Sequence, residues 1–210
     1  MLRFGFVFTA VAAILVPALA VAEPKEGLYG GIGVGYHSGN GTLTIPAYAP
    51  PNYGIDLNGA GFGAFVGYNF ASSGSMIYGV ELGVNALGTS DVVATAVPGE
   101  TFSVDGNWEA SIVGRAGGMV SDKTFLYGLA GASWMNVTGQ YSGGFPSQSD
   151  TRTGYVLGLG AEFDMGKGMF LRGEARYADY GSFNLQCTAC GPTSVSLEDV
   201  TISVGLGFNF

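Results

Sequence analysis

Apolar residues alternate one by one with small or polar residues through most of the chain after residue 27. In the clearest stretch, 60–70, every even position is apolar or aromatic, and the odd positions are glycine or asparagine except for Phe65. A period of two is typical of a β-strand with one apolar face. The pattern predicts eight strands, with cores at 28–37, 59–70, 78–86, 108–120, 125–137, 154–164, 171–180 and 200–210. In the fifth strand, residues as large as Leu126 and Tyr127 fall on opposite faces, so its apolar face stays undecided.

The connections between these predicted strands alternate in length. Three are short turns, at 71–75, 121–124 and 166–168, and four are long, at 37–55, 88–104, 138–152 and 181–197. Transmembrane β-barrels have an even number of strands, short periplasmic turns and long external loops. The sequence therefore predicts an all-β fold, an eight-stranded antiparallel transmembrane up-and-down β-barrel with both termini inside. The alternative is a soluble antiparallel barrel or sandwich, which would carry its charges on the outside.

The first 22 residues have a different pattern from the rest. Arg3 precedes an apolar run over 4–20, and Ala20-Val21-Ala22 has the small residues of a cleavage site. These features predict a secretory signal peptide over 1–22, cleaved after Ala22, and a barrel domain over 23–210.

Composition supports a surface that faces lipid. Charged residues make up 11% of the chain and hydrophobic residues 47%, and there are 37 glycines. Soluble domains carry about 25% charged residues. Without Arg3, the mature chain keeps 7 basic and 16 acidic groups, a formal charge of −9. Such an acidic chain is not expected to bind nucleic acid.

The charged residues within the predicted strands fall on the face opposite the apolar one. They are Glu81, Glu109, Arg115, Glu162, Asp164, Arg172, Glu174 and Arg176. Because a basic residue at mid-depth on the lipid face costs about 2–4 kcal/mol, these side chains should point into the lumen. An eight-stranded lumen is only wide enough for side chains to fill it, so the three arginines should pair with carboxylates. We expect this network to be structural; an ion path or acid–base catalysis are the alternatives.

Three stretches resemble a known family. They are 108–117 with 126–131 after the next turn, 154–163, and 171–181. They look like the porin-like outer-membrane immunogenic proteins of Gram-negative bacteria, which group with the OmpA-type eight-stranded barrels. One departure is Glu174-Ala175, where the family usually has Glu-Tyr. The resemblance implies a bacterial outer-membrane surface antigen, surrounded by outer-membrane lipid and lipopolysaccharide, and implies little about activity.

The C-terminal residues carry a separate resemblance. Gly205, Phe208 and the terminal Phe210 resemble the final-strand signal read by the barrel assembly machinery. That machinery is therefore an expected partner.

Neither a cofactor nor a metal is expected. The glycine-rich run 30–35 resembles a nucleotide-binding loop, but no helix or βαβ unit follows it. Cys187 and Cys190 form a CxxC in the last long connection, and a zinc site would need two further ligands. A local disulfide formed in the oxidising periplasm is the preferred interpretation.

Two features at the outer rim leave alternatives open. His37-Ser38, with Asp56 and Asp179 near the same rim, would suit a lipid A-modifying enzyme, whereas the plainer interpretation is a solvated histidine. Aromatic residues in the long connections could contact a host or surface ligand, or could pack on one another and at the aromatic girdle. These aromatic residues are Tyr48, Tyr53, Phe102, Tyr141, Phe145 and Phe183.

The sequence thus predicts a small integral outer-membrane protein with a structural or surface-interaction role and no enzymatic activity. The alternatives are a narrow diffusion pore, an adhesin or ligand receptor acting through the loops, and, more remotely, the lipid A enzyme.

Overall fold

A computed structural model describes residues 26–44, 52–70, 76–94, 99, 101–142, 147–187 and 191–210. Its strands are β1 (Gly27–Thr44), β2 (Asn52–Phe70), β3 (Met76–Ala94), β4 (Thr101–Ser121), β5 (Thr124–Tyr141), β6 (Gln148–Gly166), β7 (Met169–Cys187) and β8 (Gly191–Asn209). Each strand pairs antiparallel with the next, and β8 pairs with β1 to close the barrel. The predicted fold class is confirmed. Among the described residues, no helix is long and apolar enough to cross a membrane.

The long outer connections predicted from the sequence were wrong, because most of their residues belong to strands. β1 continues beyond His37 to Thr44, and β8 begins at Gly191 instead of Val200. Only residues 45–51, 95–100, 142–147 and 188–190 lie between strands at the outer end. The inner turns at 122–123 and 167–168 agree with the prediction, and the predicted turn at 71–75 lies outside the described residues.

The inner part of the barrel has an apolar exterior, and we call it the membrane layer. It comprises residues 28–36, 60–70, 76–86, 108–120, 124–134, 155–165, 169–177 and 200–210. Segments of about 9–11 residues are the length that tilted strands need to cross a bilayer. Aromatic residues lie at both boundaries, as in the girdles of membrane barrels. The outer ring is Tyr36, Trp108, Trp134, Tyr155 and Tyr177, and the inner ring includes Tyr68, Phe70, Tyr78, Phe163 and Phe208.

Beyond the outer ring the same alternation continues with its polarity reversed. In β8, Ser196 and Glu198 face outward while Val195 and Leu197 are buried inside; from Val200 onward the outward residues are apolar. Similar reversals occur in β1, β2, β4 and β5. The inward apolar residues of this part belong to one buried cluster, which continues into the membrane layer. Its members in the outer part include Leu43, Ile55, Leu57, Val104, Val137, Val195 and Leu197.

This outer part is split into two sheets. Pairing between β2 and β3 ends at Gly61 and Leu87, and pairing between β6 and β7 ends at Tyr155 and Asp179. The outer segments of β3–β4–β5–β6 form one four-stranded sheet, and those of β7–β8–β1–β2 form the other. Their apolar faces enclose the same cluster, so we call this part the outer sandwich. The two gaps are the β2/β3 seam and the β6/β7 seam.

Local irregularities in the strands produce the split. The β3–β4 register shifts between Ala86 and Thr89, and the β7–β8 register shifts between Asp179 and Ser182. A third shift lies around Asn107 in β4, where the inward positions change from even to odd numbers. β-Bulges bend the bulged strand and re-aim its side chains. The bulge at Asn107 therefore turns Phe102 and Val104 inward.

The structure bears on the loop aromatic residues and on β5. Tyr53 and Phe102 pack against the buried cluster, in agreement with the packing hypothesis. Tyr48, Phe145 and Cys190 lie outside the described residues, as do the side chains of Tyr141, Phe183 and Cys187.

In β5, Phe125, Tyr127, Leu129 and Met135 face the lumen, whereas Leu126 and Trp134 face outward.

Inward glycines make room for large rings in the lumen. A Cβ at Gly67 would overlap the Tyr29 ring, and a Cβ at Gly160 would overlap the Tyr127 ring. Each ring thus packs directly on the backbone of another strand, a close approach that only glycine allows.

Candidate functional site in the barrel lumen

A network of charged side chains crosses the lumen of the membrane layer, centred on Glu81 of β3. Arg172 Nη2 donates to Glu81 Oε2 at 2.7 Å, and Arg176 Nη2 donates to Glu81 Oε1 at 3.1 Å. Tyr29 Oη donates to Oε2 at 2.9 Å, and Arg115 Nη1 lies 3.5 Å from the same oxygen. Glu81 is 2% exposed. The carboxylate therefore joins four strands.

A second carboxylate links two of the same arginines. Glu162 Oε1 accepts a hydrogen bond from Arg115 Nη1 at 2.7 Å and one from Arg172 Nη2 at 2.9 Å. Glu174 pairs with Arg176 and accepts a hydrogen bond from Tyr127 Oη at 2.6 Å. Because each arginine meets at least one carboxylate, the buried charges compensate one another, as burial requires.

Aromatic rings complete the surroundings of the two deepest arginines. The Arg172 guanidinium carbon lies 3.8 Å from the Phe65 ring centroid, and that of Arg115 lies 4.1 Å from the Tyr29 ring centroid. Among the described residues, Arg172 Nε and Arg115 Nη2 have no hydrogen-bond acceptor. A guanidinium over an aromatic face gains a cation–π attraction that grows when water is excluded. The rings therefore supply contacts that the carboxylates do not.

Glu109 has a different environment from the other network carboxylates. It accepts hydrogen bonds from Ser133 Oγ at 2.8 Å, Asn85 Nδ2 at 3.2 Å and Tyr180 Oη at 3.4 Å. The structure thus gives Glu109 hydroxyl and amide partners where the sequence suggested an arginine. The other predicted charge, Asp164, accepts a hydrogen bond from the Gly166 N–H in the inner turn.

His37 is buried at the outer end of the lumen, where the sequence suggested an exposed rim position. Its Nδ1 lies 3.0 Å from Asp199 Oδ2 and 3.0 Å from Thr201 Oγ1. Sequence reasoning missed Asp199. The register pairs His37 with Thr201, and Asp199 faces inward two residues away on β8. The alternation along β8 places Asp199 on the inward face, which was the available signal. Only the pairing of β1 with β8 shows that Asp199 lies beside His37.

The His-Ser pair does not form a nucleophile and base. Ser38 follows His37 on an extended strand, so its side chain faces the exterior while His37 faces the lumen. Asp56 and Asp179 also lie on the exterior, where Asp179 accepts a hydrogen bond from Tyr155 Oη at 3.2 Å. The groups named for lipid A chemistry are therefore on opposite sides of the barrel wall.

A small polar cavity lies between the charge network and His37. Its volume is about 60 Å³. A cavity needs about 10–15 Å³ on this measure to hold one water molecule, so a few waters fit. Its polar lining includes His37, Asn85, Glu109, Glu174, Arg176 and Ser203. The apolar cluster of the outer sandwich lies beyond it, toward the exterior.

The lipid-facing exterior, aromatic rings and charged lumen together define a class, the integral β-barrel membrane proteins. The chain matches the family described as outer membrane protein beta-barrel domain over residues 6–210, and it belongs to that family. The predicted resemblance and the outer-membrane localisation are confirmed.

Two relatives and one solved structure illustrate the similarity. The chain is 30% identical over 177 residues to the 22 kDa outer membrane protein of Rhizobium leguminosarum bv. viciae, covering 83% of this chain and 76% of that protein. It is 24% identical over 229 residues to the 31 kDa outer-membrane immunogenic protein of Brucella melitensis biotype 1, covering 98% and 95%. The outer membrane protein OprG from Pseudomonas aeruginosa is similar in fold, with a TM-score of 0.53 at 14% identity, covering 88% of this chain and 96% of that one.

Proposed function

We propose that this outer-membrane barrel is closed to ions and serves to present a folded surface at the cell exterior. The observation that carries the proposal is that the lumen is filled at two successive levels. The Glu81 network crosses the membrane layer, and the apolar cluster fills the outer sandwich. A hydrated path would have to pass both.

Each level opposes ion flow for its own reason. In the network, an ion would have to displace buried arginine–carboxylate pairs, and separating one such pair costs about 3–5 kcal/mol. In the outer sandwich, an ion would lose most of its hydration among apolar side chains such as Leu57 and Leu197. The cavity of about 60 Å³ between these levels is small, with room for only a few water molecules.

Planar-bilayer recording of the purified folded barrel tests closure. We expect no unitary conductance steps from the unmodified protein. The narrow-pore alternative predicts steps in the unmodified protein that Glu174→Gln enlarges, because Glu174 lines the cavity. Asp105→Asn, on the exterior, is the matched control. Steps that respond to Glu174→Gln and not to Asp105→Asn would replace the closed-barrel proposal with the pore.

The surface role rests on the exterior of the outer sandwich. Its outward residues are mostly polar, with Val92 as an exposed apolar exception, and its outward charges among the described residues are acidic: Asp56, Asp105, Asp179 and Glu198. Such a surface disfavours polyanionic ligands and leaves the adhesin or receptor alternative to polar or cationic partners. Cell-surface binding before and after replacement of residues 139–148 by a short turn tests this role.

We infer that the barrel has no enzymatic activity. His37 is buried against Asp199 and Thr201, and the nearby Ser38 lies on the other side of the barrel wall. Nucleophile and base must lie within hydrogen-bond reach of each other. Mass analysis of lipid A from cells with and without the protein tests the inference, and a change that His37→Ala abolishes would overturn it.

The assembly and export proposals concern the two chain ends. Phe208 and Phe210 lie exposed at the inner end of β8, where the assembly machinery could engage them. Deleting Phe210 should lower the amount of heat-modifiable folded barrel in outer membranes. Cleavage after Ala22 falls outside the described residues; N-terminal sequencing of the outer-membrane form should begin at Glu23.

A further inference from the structure

The first and last strands of the barrel are joined by a buried polar cluster at the outer end of the lumen. His37 of β1 and Asp199 and Thr201 of β8 are all buried, and we call these three residues the closure cluster. His37 Nδ1 lies 3.0 Å from Asp199 Oδ2, and Thr201 Oγ1 donates to the same oxygen at 2.7 Å. Because pairing of β8 with β1 closes the barrel, the cluster lies across the closing junction.

The geometry fixes which nitrogen of His37 can take up a further proton. A lone pair on Nδ1 would face an anionic oxygen at 3.0 Å, so Nδ1 carries a proton and donates it to Asp199. A further proton therefore binds at Nε2, which turns the ring into an imidazolium. A Cβ at Gly61 of β2 would lie only 3.0 Å from Nε2, so the glycine leaves space beside this nitrogen.

Carboxylates outnumber arginines in the lumen between the inner turns and the level of His37. Among the described residues that point inward there, the arginines are Arg115, Arg172 and Arg176, and the carboxylates are Glu81, Glu109, Glu162, Glu174 and Asp199. Buried charge without a counter-charge is strongly disfavoured. His37 is the single histidine of the chain, and histidine is the side chain that gains a positive charge near neutral pH.

The charged groups around His37 favour the imidazolium. The titratable groups that face it come from three strands: Asp199 of β8, Glu109 of β4, and Glu174, Arg176 and Tyr180 of β7. The cavity-lining residues of β2 and β3 are not titratable. Burial lowers the pKa of His37, but the hydrogen bond and charge of Asp199 and the charge of Glu109 raise it more, against the opposing charge of Arg176. The pKa of His37 therefore lies above its ordinary value.

We propose that the closure cluster is a proton-dependent clasp, in which uptake of one proton by His37 strengthens the junction between β1 and β8. A neutral ring holds Asp199 by a hydrogen bond, whereas the imidazolium adds the attraction of opposite charges, which makes such a bond stronger. The clasp lies between the charge network and the apolar cluster of the outer sandwich. It therefore holds the two terminal strands together at the base of the outer sandwich, more firmly in an acidic medium.

The pH range of the effect follows from where the proton is held more tightly. Histidine in an unfolded chain releases its proton near a pH of about 6.5. His37 in the folded barrel releases it at a higher pH, because its pKa is raised. The stabilisation is therefore complete below a pH of about 6.5 and is lost as the pH rises through the pKa of the folded state.

Nuclear magnetic resonance of the barrel with 15N-labelled histidine tests the clasp directly, because the chain has one imidazole. In micelles, Nδ1 should stay protonated throughout the titration, and Nε2 should titrate at a higher pH than in the same protein unfolded in urea. Asp199→Asn should bring the titration back toward the unfolded value, and Glu109→Gln should lower it by less. Asp105→Asn, on the exterior of the same strand as Glu109, is the matched control and should leave it unchanged. Titration of the folded barrel at or below the unfolded value would overturn the proposal.

Urea unfolding at two pH values tests whether the proton stabilises the barrel. The urea midpoint of the unmodified protein should fall as the pH rises from about 6 to about 8.5. The fall should be absent in His37→Gln, whose amide keeps a hydrogen-bond donor and takes up no proton. Ser38→Ala, the outward neighbour on β1, is the control and should keep the fall. An equal fall in His37→Gln would contradict the clasp.

Heat-modifiability on gels shows whether each variant is folded. If His37→Gln does not fold, Asp199→Asn replaces it in the unfolding experiment and should reduce the fall, and an unreduced fall would contradict the clasp. Neither the titration nor the unfolding midpoint depends on whether the barrel conducts ions, so failure of the clasp and failure of the closed barrel are distinguishable.

Discussion

The membrane layer and the outer sandwich are built from the same eight strands with opposite polarity. In the membrane layer, Ile32 and Leu159 are 67% and 72% exposed on the exterior, and Glu81 and Arg172 are buried inside. In the outer sandwich, Leu57 and Leu197 are buried inside, and the exterior carries residues such as Thr42. The reversal takes place within two residues of a continuous strand.

The comparison teaches that alternation sets the strand while the solvent sets which face is apolar. Lipid accepts apolar side chains and strongly disfavours charged ones, so the charges of the membrane layer gather inside. Water surrounds the outer sandwich, so its apolar side chains gather inside instead. Three pairs of variants test whether the two parts obey these different rules, and a fourth pair tests the backbone at one seam.

The largest effect is expected where charge is buried. Glu81→Gln should lower the free energy of unfolding by about 3–5 kcal/mol, because three arginines lose a charged partner at a buried site. Urea unfolding of the barrel in micelles measures the loss. Asp105→Asn, on the exterior of the outer sandwich, should change stability by less than about 0.5 kcal/mol. Similar losses of stability for the two variants would contradict the view that buried arginine–carboxylate pairs stabilise the membrane layer.

Truncation of an apolar side chain should destabilise the protein more at an inward position of the outer sandwich than at an outward position of the membrane layer. Leu57→Ala should destabilise the outer sandwich by about 2–5 kcal/mol, because it leaves a cavity in a buried cluster. Leu159→Ala, on the lipid face, should cost much less, since lipid chains fill the space. Hydrogen exchange should show faster exchange in the outer strand segments for Leu57→Ala, while the membrane layer stays protected. Uniform exchange in all segments would contradict two separately stabilised parts.

An arginine introduced on the exterior should have different effects on stability in the membrane layer and in the outer sandwich. Ile32→Arg should cost about 2–4 kcal/mol, because it places a charge on the lipid face. Thr42→Arg lies on the outward face of the same strand in the outer sandwich, where water solvates the new charge, and should be nearly neutral. Refolding yield and unfolding midpoints in lipid vesicles compare the pair, and equal costs would argue against the boundary at Tyr36.

The smallest effect concerns the backbone that opens the β6/β7 seam. Gly181→Ala should lower stability by about 1–2 kcal/mol, since a Cβ disfavours the left-handed conformation. Gly173→Ala, where a Cβ would meet no atom within 4 Å and φ is not positive, is the control. Thermal unfolding in detergent measures both, and an equal shift would show that the Gly181 conformation carries no strain.

The sequence predicted the membrane layer better than the outer sandwich because most signals there agreed. Strand number, the turns at 122–123 and 167–168 and the inward direction of Arg115 and Glu162 followed from alternation and the cost of charge in lipid, whereas the apolar face of β5 stayed undecided. The outer sandwich was mistaken for loops for two physical reasons. Its residues are rich in glycine, asparagine, serine and threonine, which are typical of turns. The bulge at Asn107 also breaks the parity that would have linked Phe102 and Val104 to the rest of β4.

Contacts between distant strands required the closed barrel. His37 and Asp199 are 162 residues apart, and alternation fixes their faces without fixing the β1–β8 register. Glu109 shows the same dependence. Its inward direction was predictable, but its neighbours Ser133 and Tyr180 depend on how three other strands align.

The continuity of each strand through the outer ring has a kinetic consequence. The polar hairpins of the outer sandwich must cross the hydrocarbon as separate segments, because their apolar cluster can close only on the far side. Once closed, the sandwich would have to unfold before any strand could slide back. Withdrawal from the bilayer therefore carries the unfolding barrier of the exterior part in addition to that of the barrel wall. The residence time of the protein in the membrane is set partly by side chains that never contact lipid in the finished structure.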